Sequence, residues 1–339
     1  MIITRTPFRI SLFGGGTDYP EWFTKNTGQV VSMAINKYCH VTARYLPPYF
    51  HYNYRIRFFN EQKVKSLKEI VNPVVRQSLK YLSCGNSKIE LVHHADLPGM
   101  SGLGGSSAFT VGLLNALKTL KNHSFNKKDL AMDAIHIERD LIKERVGYQD
   151  QIICSYGGLR SIRFLKNKNF FSSIIKISQE TEYKLENNLF IVYTGLQRFS
   201  EKITSVLSRK ILSHKNDAHL HEISTATIEG EKILKAKNLN LKLLADVINF
   251  QWEKKKKLAN GITNKHIEEI YNLGLSSGSY GAKLLGAGGG GFLLFVVPDN
   301  KLKNFKKAFH KHMHLQFKID HEGSKLLYDS REGEKASFF

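Results

Sequence analysis

The chain has 339 residues, 42% of them hydrophobic, which is enough for a sizeable core and more than one ordinary domain needs. Its 50 Lys and Arg against 30 Asp and Glu give a formal charge of +20, so the surface attracts anions, whether nucleic acid, headgroups or phosphorylated metabolites. The 3 cysteines show no paired spacing, which excludes a disulfide framework or a cysteine zinc site.

The N-terminus places Arg5, Pro7 and Arg9 where a secretory signal needs unbroken apolar residues. Short strands are predicted at Arg9 to Phe13, Val30 to Ile35, Tyr38 to Leu46, Arg55 to Phe59 and Lys88 to His93, each rich in β-branched or aromatic residues. Helical spacing marks Pro73 to Leu82, Ser106 to Leu120 and Lys128 to Lys143. Strands return at Leu159 to Leu165, Ile174 to Ile177 and Leu189 to Thr194.

From Ser200 to Ser276 the pattern is helical, broken near Asn216, Asn238 and Asn260 to Gly261. The tightest basic cluster, Lys254 to Lys257, reads as a solvated face of one of these helices. Strand Phe292 to Val297, helix Lys301 to His312 and strand His314 to Ile319 follow. The first of these strands is the longest clear apolar run, far too short to span a bilayer. We expect a cytoplasmic protein without a membrane partner. Strands and helices grouped in blocks predict an α+β fold of two domains, residues 1–186 and 187–339.

Three glycine-rich stretches carry the chemistry. Leu97 to Ala108 contains Pro98, Gly99, Ser101, Gly102, Leu103, Gly104, Gly105, Ser106 and Ser107 between a strand and a helix. Converging N–H groups at such a junction bind phosphate, and Ser106 and Ser107 are placed to cap the helix or reach a phosphate-held metal. The stretch is neither a Walker A sequence nor a dinucleotide fingerprint.

Gly286 to Gly291, with Gly288 and Gly289, runs straight into a strand, so taken alone it reads as a turn or a ligand loop equally well. In the third stretch, Pro7 to Pro20, Arg9 lies inside a strand and requires an anionic or polar partner. Gly16, Thr17 and Asp18 follow, and Asp18 suits either sugar hydroxyls or the N-cap of a helix beginning at Pro20.

In this order the three stretches resemble the signature set of the GHMP kinases, the superfamily of galactokinase, homoserine kinase, mevalonate kinase and phosphomevalonate kinase. The resemblance implies an N-terminal domain like ribosomal protein S5 domain 2, a ferredoxin-like C-terminal domain and a site between them. It implies ATP on Pro98 to Ser107 and substrate at Gly16, Thr17, Asp18, Gly288 and Gly289. Gly147-Tyr-Gln-Asp-Gln151 is similar to the segment with the family's catalytic aspartate, making Asp150 the base and Arg9 its partner. Glu138 with Ser107 resembles the family's Mg²⁺ ligands.

The Gly14 to Asp18 variant, with Thr194-Gly195 and Arg198, looks most like the branch acting on D-glycero-D-manno-heptose 7-phosphate at its anomeric hydroxyl. Fucokinase-type sugar 1-kinases share much of it. The partner expected is thus a sugar phosphate, with Arg198 as a candidate for its phosphate and a homodimer left open. A basic nucleic-acid-binding protein is the competing class, but no basic segment interleaves with aromatics as a base-stacking surface requires.

Overall fold

The computed structural model describes residues 1–332 except Phe59, Met100 and 198–200, with only the backbone of Glu201, Lys202 and Glu332. Strand β1 (Ile2–Phe13) runs antiparallel to β2 (Gly28–Tyr45), linked by the glycine turn and the short helix α1 (Pro20–Phe23). The two strands predicted at Val30 and Tyr38 are halves of β2. Their register slips where Pro7 meets Tyr38 and Phe8 meets Ile35, and Pro7, having no N–H, suits such a bulge.

Past that kink β2 changes partners. Its first half pairs with β6 (Leu159–Phe164) and its second with β5 (Ile89–Ala95). Strands β3 (Tyr54–Arg57) and β4 (Glu61–Val64) extend one edge, and β7 (Phe170–Ile174) pairs with β6. The strand predicted at Ile174 to Ile177 lies earlier in the chain, at β7.

Helices α2 (Pro73–Tyr81), α3 (Gly105–Leu120), α4 (Lys127–Ile135) and α5 (Gln149–Tyr156) accompany this sheet. Helix α3 is buried along most of its length because its apolar residues encircle it, and it rests on β1 and β2. Its Gly112 lets the backbone approach, since a Cβ there would lie 2.9 Å from Thr6 Oγ1. The helix predicted at Lys128 to Lys143 is α4 continued by a π-helical turn, His136–Leu141.

After α6 (Gln179–Asn188) the chain enters a second, antiparallel sheet of order β11-β8-β10-β9, with β8 (Leu189–Tyr193), β9 (Gly281–Leu284), β10 (Phe292–Val296) and β11 (His314–Leu315). The middle strands are apolar throughout because both flanks of β10 are occupied and it is wholly buried. Helices α7 (Glu201–Leu212), α8 (Asp217–Lys235), α9 (Leu241–Leu258) and α10 (Lys265–Ser276) fall between the predicted breaks. Asn240 and Asn264 cap α9 and α10 with their side chains.

Helix α11 (Leu302–Ala308) precedes β11, which is shorter than the predicted strand to Ile319. The chain then returns: β12 (Lys325–Asp329) adds to the outer edge of β1 in the first sheet. The α+β arrangement of two domains holds, with the C-terminal segment contributing a strand to the first. Glu231 of α8 accepts from Gln29 Nε2 at 2.5 Å and Ser161 Oγ at 2.8 Å, joining the halves beneath the cleft. All 3 cysteines are buried and free, and among the described residues no helix is long and apolar enough to cross a membrane.

Candidate active site

The three glycine stretches converge on one cleft of about 770 Å³. The loop after β5 and the loop between β9 and β10 abut backbone to backbone. A Cβ on Gly102 would lie 2.7 Å from the Leu285 carbonyl oxygen, one on Gly286 would lie 2.6 Å from the Gly102 Cα, and one on Gly291 2.3 Å from the Ser101 carbonyl oxygen. Each of these residues also has positive φ, so glycine is required twice over. The second loop, ambiguous in sequence, is therefore a buttress for the first.

Helix α3 begins behind Gly104, whose φ of 77° turns the chain, and no side chain caps it. Ser106 and Ser107 both line the cleft, and neither takes the capping role. The open N-terminus of a 16-residue helix at the end of a glycine loop favours an anion. Ser101, 2% exposed, lines the same space and has a buried hydroxyl without a hydrogen-bond partner.

Arg9 reaches the cleft from β1, 4% exposed. Its Nε and Nη2 donate to Asp150 Oδ1 and Oδ2 at 2.7 and 2.6 Å, and Nη1 donates to the Gly102 carbonyl at 2.6 Å. A Cβ on Gly104 would come within 2.9 Å of Arg9 Cγ, so the loop glycine makes room for the arginine. Asp150 sits in the first turn of α5, a helix that sequence reading missed, rather than in a turn. Gln149 Nε2 adds a bond to Asp150 Oδ1 at 3.1 Å and is itself held through Oε1 by Ser11 Oγ at 2.9 Å.

Asp18 is not a helix cap, since α1 starts from Tyr19 without a side-chain bond. Its Oδ1 accepts from Gly16 N–H at 3.1 Å and its Oδ2 from Gln149 N–H at 3.4 Å. Burial, then the nearby charge of Asp150, pushes its carboxyl up to about 6. Thr17, fully buried, spends its hydroxyl on the carbonyls of Gly14 and Gln29, both at 2.8 Å, which closes the turn.

The π-helical turn directs Glu138 inward, and such turns recur at functional sites. Glu138 Oε2 accepts from Ser107 Oγ at 3.0 Å and Gln151 Nε2 at 2.5 Å, while Oε1 is buried without a hydrogen-bond partner. Burial pushes this carboxyl up to about 7. A buried, half-partnered carboxylate beside a hydroxyl at the phosphate loop fits Mg²⁺, a hard cation that keeps several waters. Among the described residues no group of three or more His, Cys, Asp or Glu could hold a metal, so the ion would share its coordination with phosphates.

The second domain supplies the far wall through Thr204, Ser205 and Leu207 of α7, Ile223 of α8, and Gln251, Lys255 and Leu258 of α9. Lys255 corrects the reading of Lys254 to Lys257 as one solvated face. Leu244, Ile248, Gln251, Lys255 and Leu258 form one i+3/i+4 stripe on α9, so Lys255 faces inward; that spacing was readable in the sequence. Its Nζ donates to the carbonyls of Leu284 and Gly286 at 3.1 and 2.5 Å. Lys283, 4% exposed, donates to the Leu12 carbonyl at 3.0 Å, and burial holds its ammonium well below the usual lysine range.

The cleft thus brings together Arg9, Asp150, Gly16, Asp18, Ser101, Gly102, Gly104, Gly105, Ser106, Ser107, Glu138 and Gly288. Pro98, Gly99, Thr17 and Gly289 do not line it, and Leu103 is buried with its carbonyl bonded to Arg9 N–H. Arg198 lies outside the described residues.

The chain matches GHMP kinases N terminal domain over residues 68–158 and GHMP kinases C terminal over residues 233–315. It is 30% identical over 323 residues to D-glycero-alpha-D-manno-heptose 7-phosphate kinase of Campylobacter jejuni, spanning 91% of this chain and 93% of that protein. The chain belongs to the GHMP kinase family. This GHMP kinase is also 25% identical over 338 residues to L-fucokinase/L-fucose-1-P guanylyltransferase of Bacteroides fragilis, spanning 87% of this chain and 34% of that protein. A solved D-glycero-D-manno-heptose 1-phosphate kinase from Bacteroides thetaiotaomicron shares the fold, with TM-score 0.79 and 19% identity over 97% of this chain and 99% of that one. The family's phosphate donor is ATP.

Proposed function

We propose that this GHMP kinase transfers the γ-phosphoryl group of ATP to the anomeric C1 hydroxyl of D-glycero-D-manno-heptose 7-phosphate, a step of nucleotide-activated heptose synthesis for surface polysaccharide. The observation that carries the kinase reading is the Arg9–Asp150 pair, held where the phosphate loop meets the Asp18 turn. The heptose reading is supported by the Campylobacter relative, which matches along nearly the whole of both chains.

Asp150 Oδ1 already accepts from Arg9 and Gln149, whereas among the described residues Oδ2 accepts only from Arg9. Oδ2 therefore keeps a lone pair for the sugar hydroxyl. As the hydroxyl oxygen bonds to the γ-phosphorus and the bond to the β-phosphate oxygen breaks, its proton passes to Oδ2 and ADP leaves. Arg9 spends three of its five N–H groups on Asp150 and the Gly102 carbonyl, so it orients the carboxylate and ties it to the phosphate loop. Asp18 accepts from sugar hydroxyls, and Ser101 to Ser107 with the start of α3 receive the phosphates. Ser107 and Glu138 would hold Mg²⁺, which when bound supplies charge neutralisation at those phosphates.

Steady-state kinetics with the heptose 7-phosphate, the unphosphorylated heptose, fucose and galactose, with the product position fixed by NMR, test this. We expect the highest kcat/KM for the 7-phosphate and a product phosphorylated at C1. A higher value for fucose would move the enzyme to the fucokinase-type reading that the Bacteroides fragilis relative favours. If no sugar consumed ATP, the kinase reading would fall.

A further inference from the structure

We propose that Lys255 is a further catalytic residue of this site, its ammonium contacting the γ-phosphoryl group during transfer. This rests on the kinase reading above.

Lys255 and Arg9 hang from neighbouring carbonyls. Lys255 Nζ donates to the carbonyl of Gly286, and Arg9 Nη1 donates to that of Gly102, while the backbones of these two glycines abut. The lysine therefore stands beside the catalytic pair, on the shelf that the two glycine loops build together. Its location follows from α9, whose inward stripe sets Lys255 one turn beyond Gln251, and Gln251 Oε1 accepts from Gly14 N–H at 2.9 Å.

The two cations differ in the partners they have. Arg9 is matched to a carboxylate in two bonds. Lys255 has two carbonyl partners and a third N–H to spare, and no carboxylate among the described residues lies within ion-pair distance of it. The charges facing it are Arg9, Asp18 and Asp150, with Lys283 behind on β9. A half-buried cation beside an anion-binding loop, with no ion-pair partner among the described residues, is arranged for an incoming anion.

Burial and then Arg9 lower its ammonium to about 8, which still leaves it mainly protonated at neutral pH, and a phosphoryl oxygen beside it would favour that charged form further. A donor placed there acts on charge that spreads over the phosphoryl oxygens as the bond to ADP loosens. The substrate's own phosphate is the less suitable ligand, because it sits at the opposite end of the sugar from the C1 hydroxyl beside Asp150.

Isothermal titration with a non-hydrolysable ATP analogue and with ADP, on the wild type, Lys255→Met and Lys255→Arg, tests the assignment. Loss of a charge-assisted contact lowers affinity roughly 10- to 100-fold. We expect the Met variant to lose about that much for the analogue while ADP affinity moves less than about twofold, and the Arg variant to recover part of it. In turnover, kcat should fall with the sugar KM nearly unchanged. Equal losses for ADP and the analogue, or a loss confined to the sugar-phosphate KM, would overturn the proposal. A wild type that bound neither nucleotide would instead overturn the kinase reading, and this one with it.

Discussion

Replacing Gly147 by Ala tests whether the Asp18 turn and the Asp150 helix are built as one unit. An Ala Cβ at this position would lie 1.7 Å from Asp18 Oδ2, against the 3.4 Å at which ordinary contact begins, so the two must separate by about 1.7 Å. Gly147 has no positive φ, so alanine brings no backbone strain of its own and the effect is the collision alone. Asp18 has little freedom to yield, because Gly16 N–H and Gln149 N–H hold its two oxygens.

A displacement of about 1 Å in a positioned group costs on the order of 10²-fold in rate, and overpacking costs roughly 1–3 kcal/mol in stability. The expected result is a sugar kcat/KM lowered about 10²-fold with ATP-analogue affinity changed less than about threefold, since the phosphate loop is a separate element. The decisive control repeats the change in an Asp18→Ala background, where the colliding carboxylate is gone. There Gly147→Ala should cost almost nothing further, a coupling that kinetics and urea unfolding both measure. Unchanged sugar kinetics in the single variant, or strictly additive losses in the pair, would refute the reasoning.

Asp150→Asn, unable to accept the proton, should lower kcat roughly 10²–10⁴-fold with ATP-analogue affinity retained; near-normal turnover would remove Asp150 as the base. Glu138→Gln and Ser107→Ala should each shift half-saturation to higher Mg²⁺, and unchanged metal titrations in both would place the ion elsewhere. Asp18→Asn should stabilise the fold at neutral pH. The folded carboxyl is raised to about 6 from 3.8, so the native state holds its proton more tightly and wild-type stability falls as pH climbs through that window. Removing the ionisation returns on the order of 2–3 kcal/mol at pH 7, less about 1 for the acceptor that Asn loses, and nothing below about pH 4. Urea unfolding at the two pH values reads the difference, and an equal effect at both would contradict it.

Local chemistry was legible in the sequence wherever a short stretch carried its own physics. The glycine-and-serine loop between a strand and a helix marks the phosphate site, because converging N–H groups need glycine. Most helices of the second half lie between the breaks that their asparagines announced. What escaped were elements whose residues have no periodicity apart from their neighbours. Helix α5 is short, with polar Gln149, Asp150 and Gln151 turned inward to each other and to Glu138, so no apolar stripe betrays it. Strand β12 alternates poorly because it covers an edge.

The site itself was settled only by tertiary structure. The sequence names Arg9, Asp18, Asp150, Glu138 and Ser107 as candidates, but distances across more than a hundred residues, such as the Arg9 pair with Asp150, are outcomes of sheet register and helix packing. Lys255 stands between the two: its i+3/i+4 spacing with Gln251 and Leu258 was readable within the run of four lysines, but what that stripe of α9 packs against was not. The packing of α9 over β9 brings Lys255, alone of the four, to the cleft, half-buried and with its ammonium on the carbonyls of Leu284 and Gly286.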